Sequence, residues 1–268
     1  MTLARLDHCL VAKPWGRTDL PAAFGSVEEP IGEVWFGDAH DLPPLLVKWL
    51  FTAERLSVQV HPDDVQAAAR GLPSGKEECW VVVAAEPGAH LGIGTRAPLD
   101  AEALRAAALS GEIATLLDWK AVAAGDWFHI APGTVHAIGA GVTLIEVQQH
   151  ADVTYRLYDY GRPRALHIDD GVAVSRAEPY RDPRHGRLGT AGTPVLLSSC
   201  DSFALYHGGG ATLDLLPDAE LLLIPIAGRI EVADGSAAAG SVLYGRCNAE
   251  RASDDFAYLA AIPASQTS

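Results

Sequence analysis

The chain has 268 residues, 49% hydrophobic and 20% charged, so it is long enough to bury a sizeable core in one large domain or two smaller ones. Its formal net charge of −14 argues against nucleic acid and anionic membranes as partners, since both bind through basic surfaces. No apolar run reaches the length of a membrane span, and Arg5, Asp7 and His8 lie where a signal peptide needs its apolar stretch. Four scattered cysteines without a CxxC pair favour a cytoplasmic protein with reduced thiols over a disulfide framework.

The many Gly, Pro, Val and Thr residues, with apolar runs of strand length, predict a mostly-β chain. In the N-terminal half the pattern predicts a turn at 13–16, strands at 31–36, 45–51, 56–60, 78–85, 127–130, 135–138 and 142–149, and a short helix at 63–70. An Ala- and Leu-rich stretch at 98–119, interrupted at 110–112, predicts two short helices. Residues 178–194 are the best linker, and strands are predicted beyond it at 221–225, 228–232 and 241–244.

The stretch LSVQVHPDD at 56–64 brings Gln59 and His61 to one face of a strand, because side chains two residues apart point the same way. Glu78 in GKEECW and His136 in APGTVH complete a set of N and O ligands that suits Zn²⁺ and tolerates Mn²⁺, Co²⁺ or Fe²⁺. Each residue alone is better explained as a turn cap, a loop residue or a strand-end carboxylate. The four together predict one metal ion per chain, and the absence of cysteine from the set argues against a closed structural zinc site.

Several motifs in chain order carry a family resemblance. The runs QVHPDD, GKEECW, GDWFHIAPGTVHAIGAG and TYRLYDYGR, with KPWG and IGEVW before them, resemble the shorter bacterial form of the type I phosphomannose isomerases across residues 10–170. The resemblance implies a cupin fold, a double-stranded β-helix or jelly roll, with a catalytic metal-binding domain at 1–185 that keeps a short helical insertion near 98–119. It implies a degenerate, metal-free cupin-like β domain at 190–268. The implied activity is the zinc-dependent interconversion of mannose 6-phosphate and fructose 6-phosphate.

The resemblance also implies residue roles: metal ligands at Gln59, His61, Glu78 and His136, a catalytic arginine at Arg156 and an active-site lysine at Lys76. Proton transfer through a cis-enediol needs a base near the reacting carbons and a cation beside the developing oxyanion, and Arg156 and Lys76 are candidates for these roles. Alternatives stay open for both, namely a salt bridge of Arg156 with Asp152 or Asp159, and an exposed turn position for Lys76. The family often has Pro or Thr where this chain has Glu77, so this carboxylate either perturbs Lys76 or points to solvent.

Other residues have two interpretations each. Lys48 in the apolar strand LLVKWLF faces either solvent or a polar interior. His129 is either a surface or supporting residue or part of the pocket lining, and Trp80, two residues after the glutamate ligand, is the tryptophan most expected to meet a sugar. Arg162 and Arg164 are candidates for holding a phosphate, with an ordinary surface loop as the alternative explanation.

We therefore expect a cytoplasmic aldose–ketose isomerase that acts on a small sugar phosphate, as a monomer or small homo-oligomer, without nucleic acid or membrane partners. One alternative is a non-catalytic cupin that binds metal and sugar as a sensor or scaffold, and an isomerase assay distinguishes it. A second alternative is a cupin oxidoreductase that uses iron and oxygen. The amide ligand Gln59 counts against it, because such sites usually have His-rich or two-His-one-carboxylate ligands.

Overall fold

The structure is a computed structural model that describes residues 2–37, 44–210, 212–233, 235–247 and 251–264. Its strands are β1 Ala4–Arg5, β2 His8–Arg17, β3 Ile31–Phe36, β4 Leu45–Phe51, β5 Val58–Val60, β6 Glu78–Ala85, β7 His90–Thr95, β8 Leu117–Ala121, β9 Asp126–Ile130, β10 His136–Ile138, β11 Val142–Gln149, β12 Tyr155–Tyr158, β13 His185–Arg187, β14 Val195–Ser199, β15 Phe203–Gly209, β16 Leu221–Ala227, β17 Arg229–Val232, β18 Gly235–Ala238, β19 Leu243–Gly245 and β20 Ala257–Pro263. Its α-helices are α1 Asp64–Ala68, α2 Ala101–Ser110, α3 Ile113–Leu116 and α4 Ile168–Val174, with 3-10 turns at Ala22–Phe24 and Leu213–Leu215.

Three of the four sheets in the described residues form three layers, and β17 and β18 pair as a separate two-stranded sheet. The central sheet has the order β13-β9-β6-β11-β4-β3-β2, a five-stranded sheet has the order β12-β5-β10-β7-β8, and a six-stranded C-terminal sheet has the order β1-β19-β16-β20-β15-β14. All seven residues of β4 are buried, because this strand lies in the middle layer and both of its faces are covered. Its sequence accordingly shows a continuous apolar run rather than an alternation.

The two faces of the central sheet pack against different partners. On one face Val47, Val81 and Val147 pack with Leu205 and Leu222 of the C-terminal sheet. Because side chains alternate along a strand, the residues between them point to the opposite face. Residues that follow one another along a strand of the central sheet therefore face two different layers.

The opposite face of the central sheet packs on the five-stranded sheet. There Leu50, Trp80 and Leu144 pack with Leu91 and Ile138. The outer side of the five-stranded sheet is covered by α2 and α4, so that this sheet is also buried on both faces. None of the helices in the described residues is long and apolar enough to cross a membrane.

The predicted mostly-β fold class is confirmed. Strands 45–51, 78–85 and 142–149 have the predicted bounds. Two short helices lie within 98–119 as predicted, although the last residues of this stretch belong to strand β8. The turn predicted at 13–16 is wrong, since these residues belong to β2, whose pairing with β3 shifts register between Ala12 and Arg17. Helix α4 was not predicted.

The proposed linker at 178–194 contains a strand. β13 pairs with β9 at the edge of the central sheet, so the chain still contributes to the N-terminal half at residues 185–187. Conversely β1 pairs with β19 in the C-terminal sheet. The two halves thus exchange short edge strands, and the division at 185/190 stays a prediction.

Candidate metal centre and active site

The predicted ligands come from the two sheets that face each other. Gln59 on β5 and His136 on β10 lie directly opposite in the five-stranded sheet. His61 follows β5, and Glu78 begins β6 of the central sheet, on the face toward the five-stranded layer. The backbone N–H of Gly133 donates to the carbonyl of His61 at 2.8 Å, which ties the turn before His136 to the end of β5.

Three of these side chains meet in the buried space between the sheets. Glu78 Oε1 lies 3.3 Å from His61 Nε2 and 3.4 Å from His136 Nε2, and the ligand atoms of all three residues lie within 4.8 Å of one another. Each imidazole Nδ1 contacts a backbone carbonyl, that of Val153 at 2.7 Å for His61 and that of Thr134 at 2.9 Å for His136. A carbonyl only accepts, so Nδ1 carries the proton and the Nε2 lone pair faces Glu78.

This arrangement fits a divalent cation. Glu78 Oε1 is buried and has no hydrogen-bond donor among the described residues, which is costly for a carboxylate oxygen unless a cation satisfies it. Burial lowers the pKa of His61 and of His136, so both imidazoles are neutral, as metal ligation requires. Burial alone would raise the pKa of Glu78, but Lys76 and the other polar groups around it together outweigh burial and lower this pKa to about 2.

Gln59 lies at the edge of this triad with its amide nitrogen toward it. Its Nε2 is 3.3 Å from His136 Nε2, and its Oε1 accepts a hydrogen bond from Ser57 Oγ at 3.1 Å. Rotating the side-chain amide by half a turn would exchange the two atoms, which have nearly the same shape. The structure therefore places Gln59 beside the triad, and ligation of a metal by its oxygen would require that rotation.

A buried cluster of opposite charges lies next to the triad. Lys76 Nζ donates to Glu78 Oε2 at 2.8 Å and to Glu146 Oε1 at 3.4 Å. Lys48 Nζ lies 3.8 Å from Glu146 Oε1 and 4.1 Å from the centre of the Trp35 ring. Lys76 is 3% exposed, so the alternative of an exposed turn lysine is wrong, and Lys48 faces the polar interior rather than solvent.

The charges of this cluster depend on one another. Burial alone would lower the pKa of Lys76, but Glu146 and Glu78 hold it well above its ordinary value. Burial and the repulsion from Lys76 lower the pKa of Lys48. Burial and the charge of Glu78 raise the pKa of Glu146. Removing any one member would leave its partners as uncompensated buried charges.

A cavity of about 290 Å³ opens in front of this cluster, and its lining includes Lys48, Gln59, Lys76, Glu146, Arg156 and Arg164. Glu146 lies on β11 of the central sheet and Lys76 lies just before β6 of that sheet, whereas Gln59 and Arg156 lie on β5 and β12 of the five-stranded sheet. The cavity thus has polar side chains on both walls. Its size suits a small polar molecule, and two of its lining residues, Gln59 and Lys76, contact the triad.

Arg156 is placed on β12 directly opposite Gln59. Its Nη1 makes only a long contact of 3.5 Å with the carbonyl of Ala165, and it forms no salt bridge within the described part of the chain. Burial and the neighbouring Arg164 lower its pKa. The predicted alternative of a structural salt bridge with Asp159 or Asp152 is therefore not realised.

Asp159 instead binds the two arginines that follow it. Arg162 donates to Asp159 Oδ1 at 3.0 Å and also reaches Glu54 at 3.1 Å. Arg164 donates to both oxygens of Asp159, at 2.6 Å and 2.7 Å. Of these two arginines, only Arg164 lines the cavity.

Glu146 was not among the predicted site residues, and the expectation that Trp80 meets a sugar is wrong. Glu146 is the one acidic residue in the apolar strand VTLIEVQQ, and it lies directly opposite Lys48 and Trp80 in the central sheet. That isolated charge was the signal that would have found it. Trp80 is fully buried and donates to Glu146 Oε2 at 2.8 Å rather than lining the cavity, and His129 points to the other face of the sheet.

Known proteins resemble this chain in sequence. No family model matches it. The mannose-6-phosphate isomerase of Streptococcus mutans is 44% identical over 137 residues, which is 49% of this chain and 43% of that enzyme. The probable mannose-6-phosphate isomerase GmuF of Bacillus subtilis is 31% identical over 252 residues, which covers 75% of this chain and 79% of GmuF. The chain thus spans less than half of the first relative and most of the second.

Solved structures share the fold over nearly the whole chain. The Bacillus subtilis mannose 6-phosphate isomerase superimposes with a TM-score of 0.77 and 22% identity, covering 97% of this chain and 99% of that one. A mannose 6-phosphate isomerase bound with zinc and yttrium superimposes with a TM-score of 0.69 and 16% identity, covering 97% and 99% of the two chains. The cupin fold expected from the sequence is therefore confirmed.

Proposed function

The chain belongs to the type I phosphomannose isomerase family, and on this basis we propose that it interconverts mannose 6-phosphate and fructose 6-phosphate with one bound Zn²⁺ per chain. The observation that carries the proposal is the buried triad of His61, Glu78 and His136, which lies against a polar cavity lined by Lys76 and Arg156. A purely structural core would not keep an unpartnered carboxylate oxygen and an arginine without a salt bridge in one place.

The metal would be held by His61, Glu78 and His136, with the amide oxygen of Gln59 as the fourth ligand. Two neutral imidazoles, an amide and one carboxylate leave the site with net positive charge. When bound, the ion supplies a Lewis acid that polarises a sugar oxygen. The zinc in a solved relative supports this choice of metal.

Lys76 and Arg156 would act on the developing charge of a cis-enediol. Lys76 stays protonated between Glu78 and Glu146, so its ammonium donates to an oxyanion rather than acting as a base. Arg156 faces it from the other sheet with its donors not occupied by a carboxylate. Glu146 lines the cavity beside Lys76, and we assign it the proton transfer between the two sugar carbons.

The phosphate of the substrate is assigned to Arg164 rather than Arg162. Arg164 lines the cavity and is held in a fixed orientation by both oxygens of Asp159. This local cation acts against a net charge of −14, which salt screens beyond about 8–10 Å. We further propose that the protein is cytoplasmic and monomeric or a small homo-oligomer, and the free thiols of Cys79 and Cys200 support a reducing compartment.

Measuring metal content together with turnover of mannose 6-phosphate tests the proposal. We expect about one zinc per purified chain, complete loss of turnover after chelation, and recovery on adding Zn²⁺. Full activity of the chelated, metal-free protein would contradict the assignment. A zinc-bound protein that never isomerises the substrate would instead favour the non-catalytic sensor or scaffold.

A further inference from the structure

A second polar network lies on the opposite face of the central sheet from the cavity. His129 Nε2 lies 2.9 Å from Glu77 Oε1, and Ser198 Oγ lies 2.9 Å from His129 Nδ1. Ser202 Oγ donates to Glu77 Oε2 at 3.4 Å. The carboxylate accepts, so His129 donates through Nε2–H, and its Nδ1 accepts a hydrogen bond from the Ser198 hydroxyl. His129 is 0% exposed and Ser198 is 1% exposed, so the network is internal.

This network joins the C-terminal sheet to the segment that carries the metal site. Ser198 is on β14, and Ser202 lies between β14 and β15 of the C-terminal sheet. Glu77 lies between Lys76 and Glu78, whose side chains point to the cavity face. The question that the sequence left open for Glu77 is thus resolved, because its side chain is 15% exposed and bonded to His129.

The backbone hydrogen bonds of Glu77 come from one neighbour. Its backbone N–H donates to Gln149 Oε1 at 2.9 Å, and its carbonyl accepts from the Gln149 N–H at 3.1 Å. These bonds tie the Glu77 backbone to β11 within the central sheet. The side-chain bonds lie on one face of that sheet: His129 on β9 and Ser202 beside β14 hold the Glu77 carboxylate toward the C-terminal sheet, on the side opposite to Lys76 and Glu78.

We propose that Glu77 is a positioning residue for the metal site, held from behind by His129, Ser198 and Ser202 so that Glu78 and Lys76 keep their places in front. The C-terminal half thereby supports the site without contributing a ligand. The inference rests on the metal site of the proposed function. Partners outside the ligand shell orient the ligands, and their loss typically weakens metal binding about 10- to 100-fold.

The test is the zinc affinity of the full-length protein, measured by competition with a chromogenic chelator and Zn²⁺ alone. Glu77→Ala is expected to raise the zinc dissociation constant about tenfold, at the lower end of that range because Glu77 is not bonded to a ligand side chain. Glu77→Gln is expected to keep most of the affinity, since its amide oxygen still accepts from His129. In turnover, Glu77→Ala should lower kcat with little change in KM.

A matched control separates positioning from general loss of stability. Ile224→Val removes one methylene from the same interface between central and C-terminal sheets, away from Glu77. Ser198→Ala is the milder variant in case Glu77→Ala does not fold, and its dissociation constant should rise several-fold. Unchanged affinity in the folded Glu77 or Ser198 variant overturns the inference, as does an equal loss in Ile224→Val at a matched melting temperature.

The same experiment distinguishes this inference from the proposed function. Wild-type protein that binds no zinc overturns both. Wild-type protein that binds zinc but does not isomerise mannose 6-phosphate overturns the proposed activity alone, because the affinity of the variants still supports or contradicts the role of Glu77.

Discussion

The two halves of the molecule use the same kind of sheet to bury different kinds of residue. Between the central and five-stranded sheets, the buried groups include Lys48, Lys76, Glu78 and Glu146. In the described residues beyond 190, the buried polar side chains are Ser198, His207 and Ser241, and none carries a carboxylate, ammonium or guanidinium group. The core of that half consists of leucine, isoleucine, alanine and aromatic residues.

This difference in buried charge indicates which half of the molecule carries the functional residues. Burying ions is expensive even when they are paired, and an apolar core of similar volume is often equally stable or more so. The C-terminal sheet shows that this fold does not need buried charge. The charges beside His61 and His136 are therefore best explained by the chemistry of the site rather than by stability.

The largest effect is expected when a buried histidine of the N-terminal half is replaced by alanine, compared with the same replacement in the C-terminal half. His136→Ala removes a metal ligand, so we expect loss of zinc and a fall in turnover of about a thousandfold or more, since the Lewis acid is lost. His207→Ala is the matched control, because His207 is 6% exposed on β15 of the C-terminal sheet, which carries none of the proposed ligands. Metal analysis and turnover of both variants check this. Equal loss in both would remove the distinction between the halves.

A second effect is expected at Arg156. Replacing it with alanine should lower kcat by about 100-fold, the scale of a lost oxyanion partner, with a smaller change in KM. Arg156→Lys should recover little, because a point charge does not reproduce the planar fork of the guanidinium. Arg162→Ala is the control, since Arg162 binds Asp159 and Glu54 and does not line the cavity. An unchanged kcat in Arg156→Ala would make this arginine a structural residue.

Substitutions in the apolar core of the C-terminal half should change stability rather than catalysis. Leu222 is fully buried in the cluster that joins the C-terminal and central sheets, so Leu222→Ala should lower the free energy of unfolding by about 2–5 kcal/mol. The folded fraction should keep its zinc and its kcat. Chemical denaturation with parallel assays measures both. A large fall in kcat of the folded protein would mean that this core also tunes the site.

That His61, Glu78 and His136 meet beside Gln59 could be predicted from the sequence, because strand alternation and short motifs indicate which side chains share a face. Gln59 and His61 could be paired without any structure. The cluster of buried charges could not be predicted in this way. Lys48, Glu146 and Lys76 are far apart in sequence, and they meet only through the register of β4, β11 and β6. Local sequence carries no information on that register.

The same limit explains the incorrect expectation for Trp80. Its position on the strand face of Glu78 could be predicted from the sequence, whereas its burial depends on which layer covers that face of the central sheet. The bonds of Glu77 to His129 and Ser202 could not be predicted from the sequence, because they depend on the packing of the C-terminal sheet behind the metal site. Long-range packing, rather than local propensity, decided each of these positions.

The smallest expected signal is isotopic and comes from the charged cavity alone. If Glu146 carries the proton between the sugar carbons, turnover in heavy water should place some deuterium on the product carbon, detected by NMR or mass spectrometry. Glu146 is only 4% exposed, so exchange with solvent should be partial in each turnover and should accumulate over many. Glu146→Gln should reduce turnover and deuterium incorporation together, because an amide cannot take the proton. Product free of deuterium after many turnovers of the wild-type protein would point to direct hydride transfer and remove the proton-transfer role from Glu146, while the metal site and Arg156 would keep their roles.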